Sequence, residues 1–471
     1  MAQHLGGSSA TAAADTSTRR APVRTSAARR APGPRLGSLA TLPRFVARKF
    51  DFLADCARRY GDVYRLPLGL ADITVVNHPD HVGCFLTENA DNYLKGRMNR
   101  RLLPALGDGI PISEGERWRR SRRLLNPMFS RKSLDGMVGI VAGSIDDTLT
   151  RWELLAEVGE TVELTHEIGV LTMQVLQRAM FSSSVRDEGV PELVAQLRAL
   201  SLWMGGLMAT VWAPRWIPVP YQRRGQRARA GLDATLDRIV AERRANPIES
   251  PDLLNLLLAA RFDDGEPLEH EHLRAELRGL LFGGYDTTGS ALAWTFALLG
   301  SRSEWAEALR AEADALGDRL PGLAELADLE VSRALFDEAQ RIQGALLLTR
   351  EAVDDDEIAG YKIPAGSLVG VSSYSLHRNP EFWPDPERFD PTRFMGERRR
   401  AQHRYQFLPF GAGPRHCIGA NLAYLEGQLA LLKVARRFDV EIDPGYVPRH
   451  RFHLSTGLRG GLPCRLRTRR Q

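Results

Sequence analysis

The stretch from Leu273 to Leu299 reads as a single long helix that is apolar nearly all round. A helix without a polar face has no stable place at a surface, so it must run through the middle of a mainly helical fold. In its midst stands Gly283-Gly-Tyr-Asp-Thr-Thr288. Each glycine inside a helix costs about 1 kcal/mol relative to alanine. Two in succession, followed by an acid in an apolar setting, break the local rules, and such breaks concentrate at functional sites. Taken alone, the same residues also suit a glycine pair that lets two helices pack closely beside a satisfied buried acid.

The second constraint is Phe407-Leu-Pro-Phe-Gly-Ala-Gly-Pro-Arg-His-Cys-Ile-Gly-Ala-Asn-Leu-Ala423. Gly411 and Gly413 permit turns and close backbone approaches. Beyond Gly419, Leu422, Leu425, Leu429 and Leu432 recur at helical spacing. Cys417 thus stands just before a helix, where the positive dipole end and free N–H groups favour a thiolate. A lone cysteine is most often a small buried hydrophobe. A nucleophile would need a nearby base, which the adjacent His416 is not aimed to be, and a zinc site would need further ligands at short spacing. The whole string Phe410-Gly-x-Gly-x-Arg-x-Cys-x-Gly419 resembles the haem-ligand loop of the cytochrome P450 superfamily.

That resemblance implies a mainly α fold with a small β-rich region, a triangular helical prism forming one domain. It implies haem b as cofactor, O2 as co-substrate, and the Cys417 thiolate as axial ligand of the iron, with Phe410 beside it in the same loop. Gly283 and Gly284 would let the central helix lie against the flat macrocycle and leave room for O2. Asp286 and Thr287 would deliver the two protons that dioxygen cleavage consumes. Trp118 and Arg122, four apart on one helical face, match the family pair that holds a haem propionate; Arg350 and Arg415 match two further propionate ligands. Glu338, Arg341 and Arg393 match a buried structural triad. Leu346, Leu347, Leu348 and Phe282 would line the substrate pocket, although Ile342-Gln-Gly-Ala-Leu-Leu-Leu-Thr-Arg350 departs from the family's common Tyr-Pro-Pro-like stretch. Leu202 to Tyr221, with Trp203, Met204, Met208, Trp212 and Trp216, resembles the mobile lid over the substrate channel. An apolar lid implies an apolar substrate.

Composition narrows the rest. Length alone suits two or three domains, but the motifs run in one family order from about residue 40 onward, which gives a haem-thiolate monooxygenase domain at 39–471. Residues 1–38 are rich in Ala, Ser, Thr and Arg with Asp15 as the only acid, and are expected to form a disordered extension. Such a beginning also fits an organelle transit peptide. With five lysines among 63 basic residues, the net charge of +5 comes from arginine. Pro43 to Tyr60 reads as one amphipathic helix, and residues 62–76 as two short strands about a turn at Gly69-Leu-Ala-Asp72. Tyr361 to Val371 reads as a hairpin in the same sheet. His377 reads as a structural hydrogen-bonding group.

Cys56, Cys84, Cys417 and Cys464 are too far apart to suggest a disulfide framework, consistent with a reducing, cytoplasmic setting. No run of 18 apolar residues exists, so no membrane anchor is expected. The resemblance implies a haem-dependent monooxygenase, expected as a monomer, that hydroxylates, epoxidises or otherwise oxidises a small apolar organic substrate such as a secondary metabolite. No flavin or iron–sulfur segment is evident, so electrons are expected from a separate ferredoxin and ferredoxin reductase. Arg119, Arg120, Arg123 and Arg398 to Arg400 would form a basic docking face for the ferredoxin. No nucleic-acid motif is present. The alternatives are a fatty-acid hydroxylase, a peroxide-driven peroxygenase, and a haem sensor without activity.

Overall fold

The central helix runs from His270 to Leu299, about 45 Å at 1.5 Å per residue. It begins three residues before the apolar pattern does. The computed structural model describes residues 29–35, 37–68, 72–182, 189–211, 216–300, 302–452 and 455–469. Around the central helix pack Leu164–Phe181, Glu330–Gln343 and Ala420–Arg437. The core that joins them is one continuous apolar cluster. Trp294 lies wholly inside it and donates its indole N–H to the Thr456 carbonyl at 3.1 Å.

The β-rich region is a separate wall. Val63–Pro67 pairs antiparallel with Asp72–Val76, which runs parallel to Leu368–Val371 in the register Ile73–Leu368, Thr74–Val369, Val75–Gly370. Leu348–Ala352 and then Tyr93–Leu94 complete five strands. Leu368–Val371 thus joins the sheet as expected, whereas Tyr361–Ile363 pairs in a small ribbon with Asp356–Ile358. Residues 69–71 of the expected turn lie outside the described residues.

The amino-terminal expectations need two corrections. Pro43 to Tyr60 is two helices, Gly37–Ala47 and Lys49–Tyr60, because Arg48 leaves helical geometry at φ −134°, ψ 48°. Residues 1–28 of the expected extension lie outside the described residues. Residues 29–35, however, lie against the ribbon and the sheet. The Arg29 N–H donates to the Gly360 carbonyl, the Arg29 carbonyl accepts from the Lys362 N–H, and the Pro32 carbonyl accepts from the Arg65 N–H. These bonds are backbone groups, invisible to composition. Ala31 is buried beside them.

Two long helices, Val190–Ala209 and Gln222–Ala245, pack against each other, and the second also packs on the central helix. They hold the segment that the sequence marks as a lid. Its residues do not act as one group. Trp203 and Met204 are buried in the seam, with Trp203 so close to Gly225 that a Cβ there would collide with the indole. Trp216 is 81% exposed, and Trp212 lies outside the described residues. Met208 and Val211 pack against the cluster that contains Leu346 and Leu347.

Candidate active site

In the middle of the buried central helix, Gly283 and Thr287 are exposed while their neighbours Leu281, Phe282, Tyr285 and Thr288 are buried. Residues four apart share a helical face, so this face borders a hollow. Nothing stands within 4 Å of a Cβ built on Gly283. The second glycine behaves differently. A Cβ on Gly284 would come within 2.8 Å of Leu176 Cδ1, so Gly284 admits the helix Leu164–Phe181 rather than a cofactor. The pair therefore combines both readings of the sequence, one glycine for the hollow and one for helix packing. The Thr287 hydroxyl donates to the Gly283 carbonyl, and Asp286 is half-buried beside it.

The cysteine loop is held by its backbone. The Cys417 N–H donates to the Phe410 carbonyl at 3.0 Å. At Gly413, φ is +71° and a Cβ would overlap the Leu86 carbonyl, so only glycine fits. Helix Ala420–Arg437 starts three residues after Cys417. Burial raises the Cys417 thiol, while the N–H groups of Gly419 and Ala420 and the cations of Arg122 and Lys95 pull it down. Protein crowds Cys417 from most directions, yet the residue keeps exposed surface. Phe410 packs 5.3 Å from Tyr424 and 6.3 Å from His416, ring to ring.

Next to the loop lies a knot of positive charge. The Arg415 guanidinium sits 3.9 Å over the Trp118 ring and donates to the Ser113 carbonyl at 2.8 Å. Arg350, 5% exposed, donates only to the Thr349 carbonyl at 2.9 Å among the described residues. Burial lowers both arginines to about 10. Arg122 is half-buried one turn from Trp118 on helix Gly115–Leu125. A cleft lined by Phe85, Tyr93, Trp118, Arg350 and Arg415 opens beside them.

Sequence reasoning missed Lys95. Burial, then the Arg350 and Arg415 cations, lower it to about 7, while Cys417 and Glu114 draw it upward. Its rarity was the available signal, since it is one of five lysines. Glu114 is the carboxylate that acts on Arg350, Arg415 and Lys95 alike. Cations outnumber carboxylates here, so the knot suits a ligand that brings two negative charges.

The predicted triad is assembled. Arg341 clasps Glu338 with Nε to Oε2 at 2.6 Å and Nη2 to Oε1 at 2.8 Å, and Arg393 Nε lies 3.6 Å from Oε1. Glu338 and Arg341 have no exposed surface. The remaining Arg341 donors reach the carbonyls of His377, Pro386 and Arg388. His377 is buried, and its Nε2 accepts from the Leu408 N–H at 2.9 Å. Burial and the Arg341 cation lower His377 to about 3, so it is neutral.

Other expectations change. Leu346 is buried among Tyr64, Leu66 and Leu368, so it builds the wall rather than its lining. Leu347 and Leu348 are half-buried, and Phe282 is 7% exposed. The expected basic face is largely neutralised within the chain. Arg119 is near Asp91 and Glu116, Arg120 pairs with Asp264 at 2.7 Å, and Arg123 pairs with Asp263 and Glu116. Arg398 pairs with Asp390 at 3.2 Å and Arg399 with Asp337 at 3.4 Å. Arg400 is exposed. Glu116 and Asp390 lie near their arginines in sequence, but Asp263, Asp264 and Asp337 are brought to theirs only by the fold.

Among the described residues, no helix is long and apolar enough to cross a membrane. A family model described as Cytochrome P450 matches residues 29–462. Cyclooctat-9-en-7-ol 5-monooxygenase of Streptomyces melanosporofaciens is 32% identical over 424 residues, covering 88% of this chain and 90% of that protein. Cyclooctatin synthase of the same organism is 31% identical over 423 residues, with the same coverage of both chains. Among solved structures, the haem domain of cytochrome P450DA matches with a TM-score of 0.84 and 26% identity, over 94% of this chain and 98% of that one.

Proposed function

The chain belongs to the cytochrome P450 family, and from that premise we propose that this monooxygenase oxidises an apolar secondary metabolite in the hollow beside Gly283 and Thr287. Haem b with O2 is the family's cofactor chemistry. The observation that carries the site assignment is the unbalanced cation knot next to a cysteine that keeps exposed surface. Against the four cations of Arg350, Arg415, Lys95 and Arg122 stands one carboxylate, Glu114, among the described residues, and two propionates would supply the missing negative charge.

When bound, haem b supplies the activation of dioxygen. Cys417 Sγ would hold the iron as a thiolate, stabilised by the Gly419 and Ala420 N–H groups and by Arg122 and Lys95. Trp118 fixes the Arg415 guanidinium by stacking, and Trp118, Arg122, Arg350 and Arg415 would anchor the propionates. Gly283 leaves room for O2 and substrate. Asp286 passes protons to the Thr287 hydroxyl, which its bond to the Gly283 carbonyl holds at the hollow. The triad of Glu338, Arg341 and Arg393 keeps the segment before the cysteine loop in place. An Asp–Thr relay serves an enzyme that handles O2, which favours this reading over peroxide-driven turnover.

Leu347, Leu348 and Phe282 support an apolar substrate, and the names of the two Streptomyces proteins point to cyclic, largely hydrocarbon molecules. Electrons would come from a separate ferredoxin with its reductase. Arg400 is exposed, and an acidic partner would compete for the other arginines with their own acids, Asp264 at Arg120, Asp263 and Glu116 at Arg123, and Asp390 at Arg398. No disulfide joins the four cysteines among the described residues, which suits a reducing, cytoplasmic setting. Ligand titration tests the substrate reading: cyclic terpenoid alcohols should shift the spin state of the ferric protein, and fatty acids should not. The reverse result would make it a fatty-acid hydroxylase.

A further inference from the structure

The segment 95–113 starts against the sheet, where Arg97 bonds Glu351, and then runs past the lid helices and the central helix, with three further arginines tying it down. The short helix Leu103–Leu106 touches Val190–Ala209, Gln222–Ala245 and His270–Leu299. From this loop, Arg101 Nη2 donates to the Thr210 carbonyl at the end of the first lid helix, at 2.9 Å. In the opposite direction, Arg229 Nη1 of the second lid helix donates to the Pro104 carbonyl at 2.6 Å. Below them, the fully buried Arg278 of the central helix donates to the Leu106 carbonyl at 3.1 Å and also pairs with Asp233 of the second lid helix. Glu276, equally buried, accepts the Ile110 N–H at 2.9 Å. Gly107, at φ +78°, passes so close that a Cβ would stand 2.5 Å from Arg278 Nη2.

These ties differ in kind. Arg101 and Arg229 are half-buried, and Arg229 also lies 3.6 Å from Asp233 and 4.0 Å from Glu271, so water or these acids can hold the guanidinium when the carbonyl bonds break. Arg278 and Glu276 have no such substitute, and breaking their bonds would strand buried charge. The loop is therefore pinned at its base on the central helix and clipped at its edge to the lid. We propose that Arg101 and Arg229 form a reciprocal latch whose release lets substrate pass between loop and lid, while Arg278 and Glu276 hold the hinge. They are positioning residues for entry and touch no reacting atom. The proposal rests on the reading of the hollow as the haem and substrate site.

The test uses 4-phenylimidazole as a bulky iron-binding probe and carbon monoxide as a small one, with binding followed by absorbance. Arg101→Gln and Arg229→Gln should each speed association and dissociation of the bulky probe about threefold, and the double variant about tenfold. Carbon monoxide binding and the Soret position should stay as in the parent, and lysine at both positions should restore most of the slow rate. Amide exchange of residues 102–107 should quicken in the double variant, and that of residues 110–113 should not. Unchanged probe rates, or exchange quickening equally in both segments, would overturn the latch. If the parent shows no haem spectrum, the site reading fails instead, and the exchange contrast alone decides the latch.

Discussion

The cysteine side and the lid side of this molecule bury charge in opposite ways. On the cysteine side, Glu338 accepts two N–H groups from Arg341 and one from Asp390 N, and Arg341 spends its other donors on three carbonyls. Both charged side chains are fully buried, and each spends all its bonds inside the domain. On the lid side, the half-buried Arg101 and Arg229 reach backbone carbonyls across gaps between elements, with only the loose pairs of Arg229 to Asp233 and Glu271 beside them. The first arrangement suits a group held permanently at one distance. The second suits a surface that must part and close again. Two different tasks explain why an arginine-rich chain uses one side chain in both ways.

Replacement of Cys417 by serine should act most strongly. The reduced carbon monoxide complex should lose the strongly red-shifted Soret band of sulfur ligation, and an unchanged band would end the assignment of that loop. Next, Glu338→Ala leaves Arg341 and Arg393 without their counter-charge and should cost about 3–5 kcal/mol in denaturant unfolding. A loss as small as that of Arg229→Gln would dissolve the contrast between the two sides. Asp286→Asn should slow product formation about 10²-fold, with reducing equivalents diverted to peroxide. Product and peroxide assays on the same sample would show it.

Acid sharpens the comparison through His377. Its folded value of about 3 lies below the unfolded 6.5, so the unfolded chain binds the extra proton between these values. Stability from this group is complete above pH 6.5 and falls as pH drops, by about 1.4 kcal/mol per unit. Denaturant midpoints at pH 7 and pH 5 should differ accordingly, and His377→Gln should flatten the slope. The smallest effects distinguish the adjacent glycines. Gly284→Ala should destabilise by about 1 kcal/mol because its Cβ meets Leu176. Gly283→Ala should leave unfolding stability equal or higher, with weaker haem retention. Equal effects at both sites would refute the separation of their roles.

Much of the site was legible because its chemistry is local. The cysteine loop, the Asp286–Thr287 pair and the Glu338–Arg341 spacing are each short strings whose members meet on one turn or one helical face. Lys95 and Glu114 were not legible, since their relation to Arg350 and Arg415 depends on chain segments more than 200 residues apart. The lid illustrates the same limit, as one apolar stretch placed Trp203 in a seam and Trp216 in solvent.

The sequence by itself determined the central helix, the cysteine loop, the family and hence the cofactor class. Backbone conformation and helical periodicity act over a few residues, and a few residues are enough to write them. Only the tertiary structure decided which glycine faces the hollow, which arginines are neutralised by Asp263 and Asp264, and how residues 29–35 lie on the sheet. Those outcomes rest on charge, burial and backbone hydrogen bonds between distant segments, and such interactions exist only once the chain has brought the partners together.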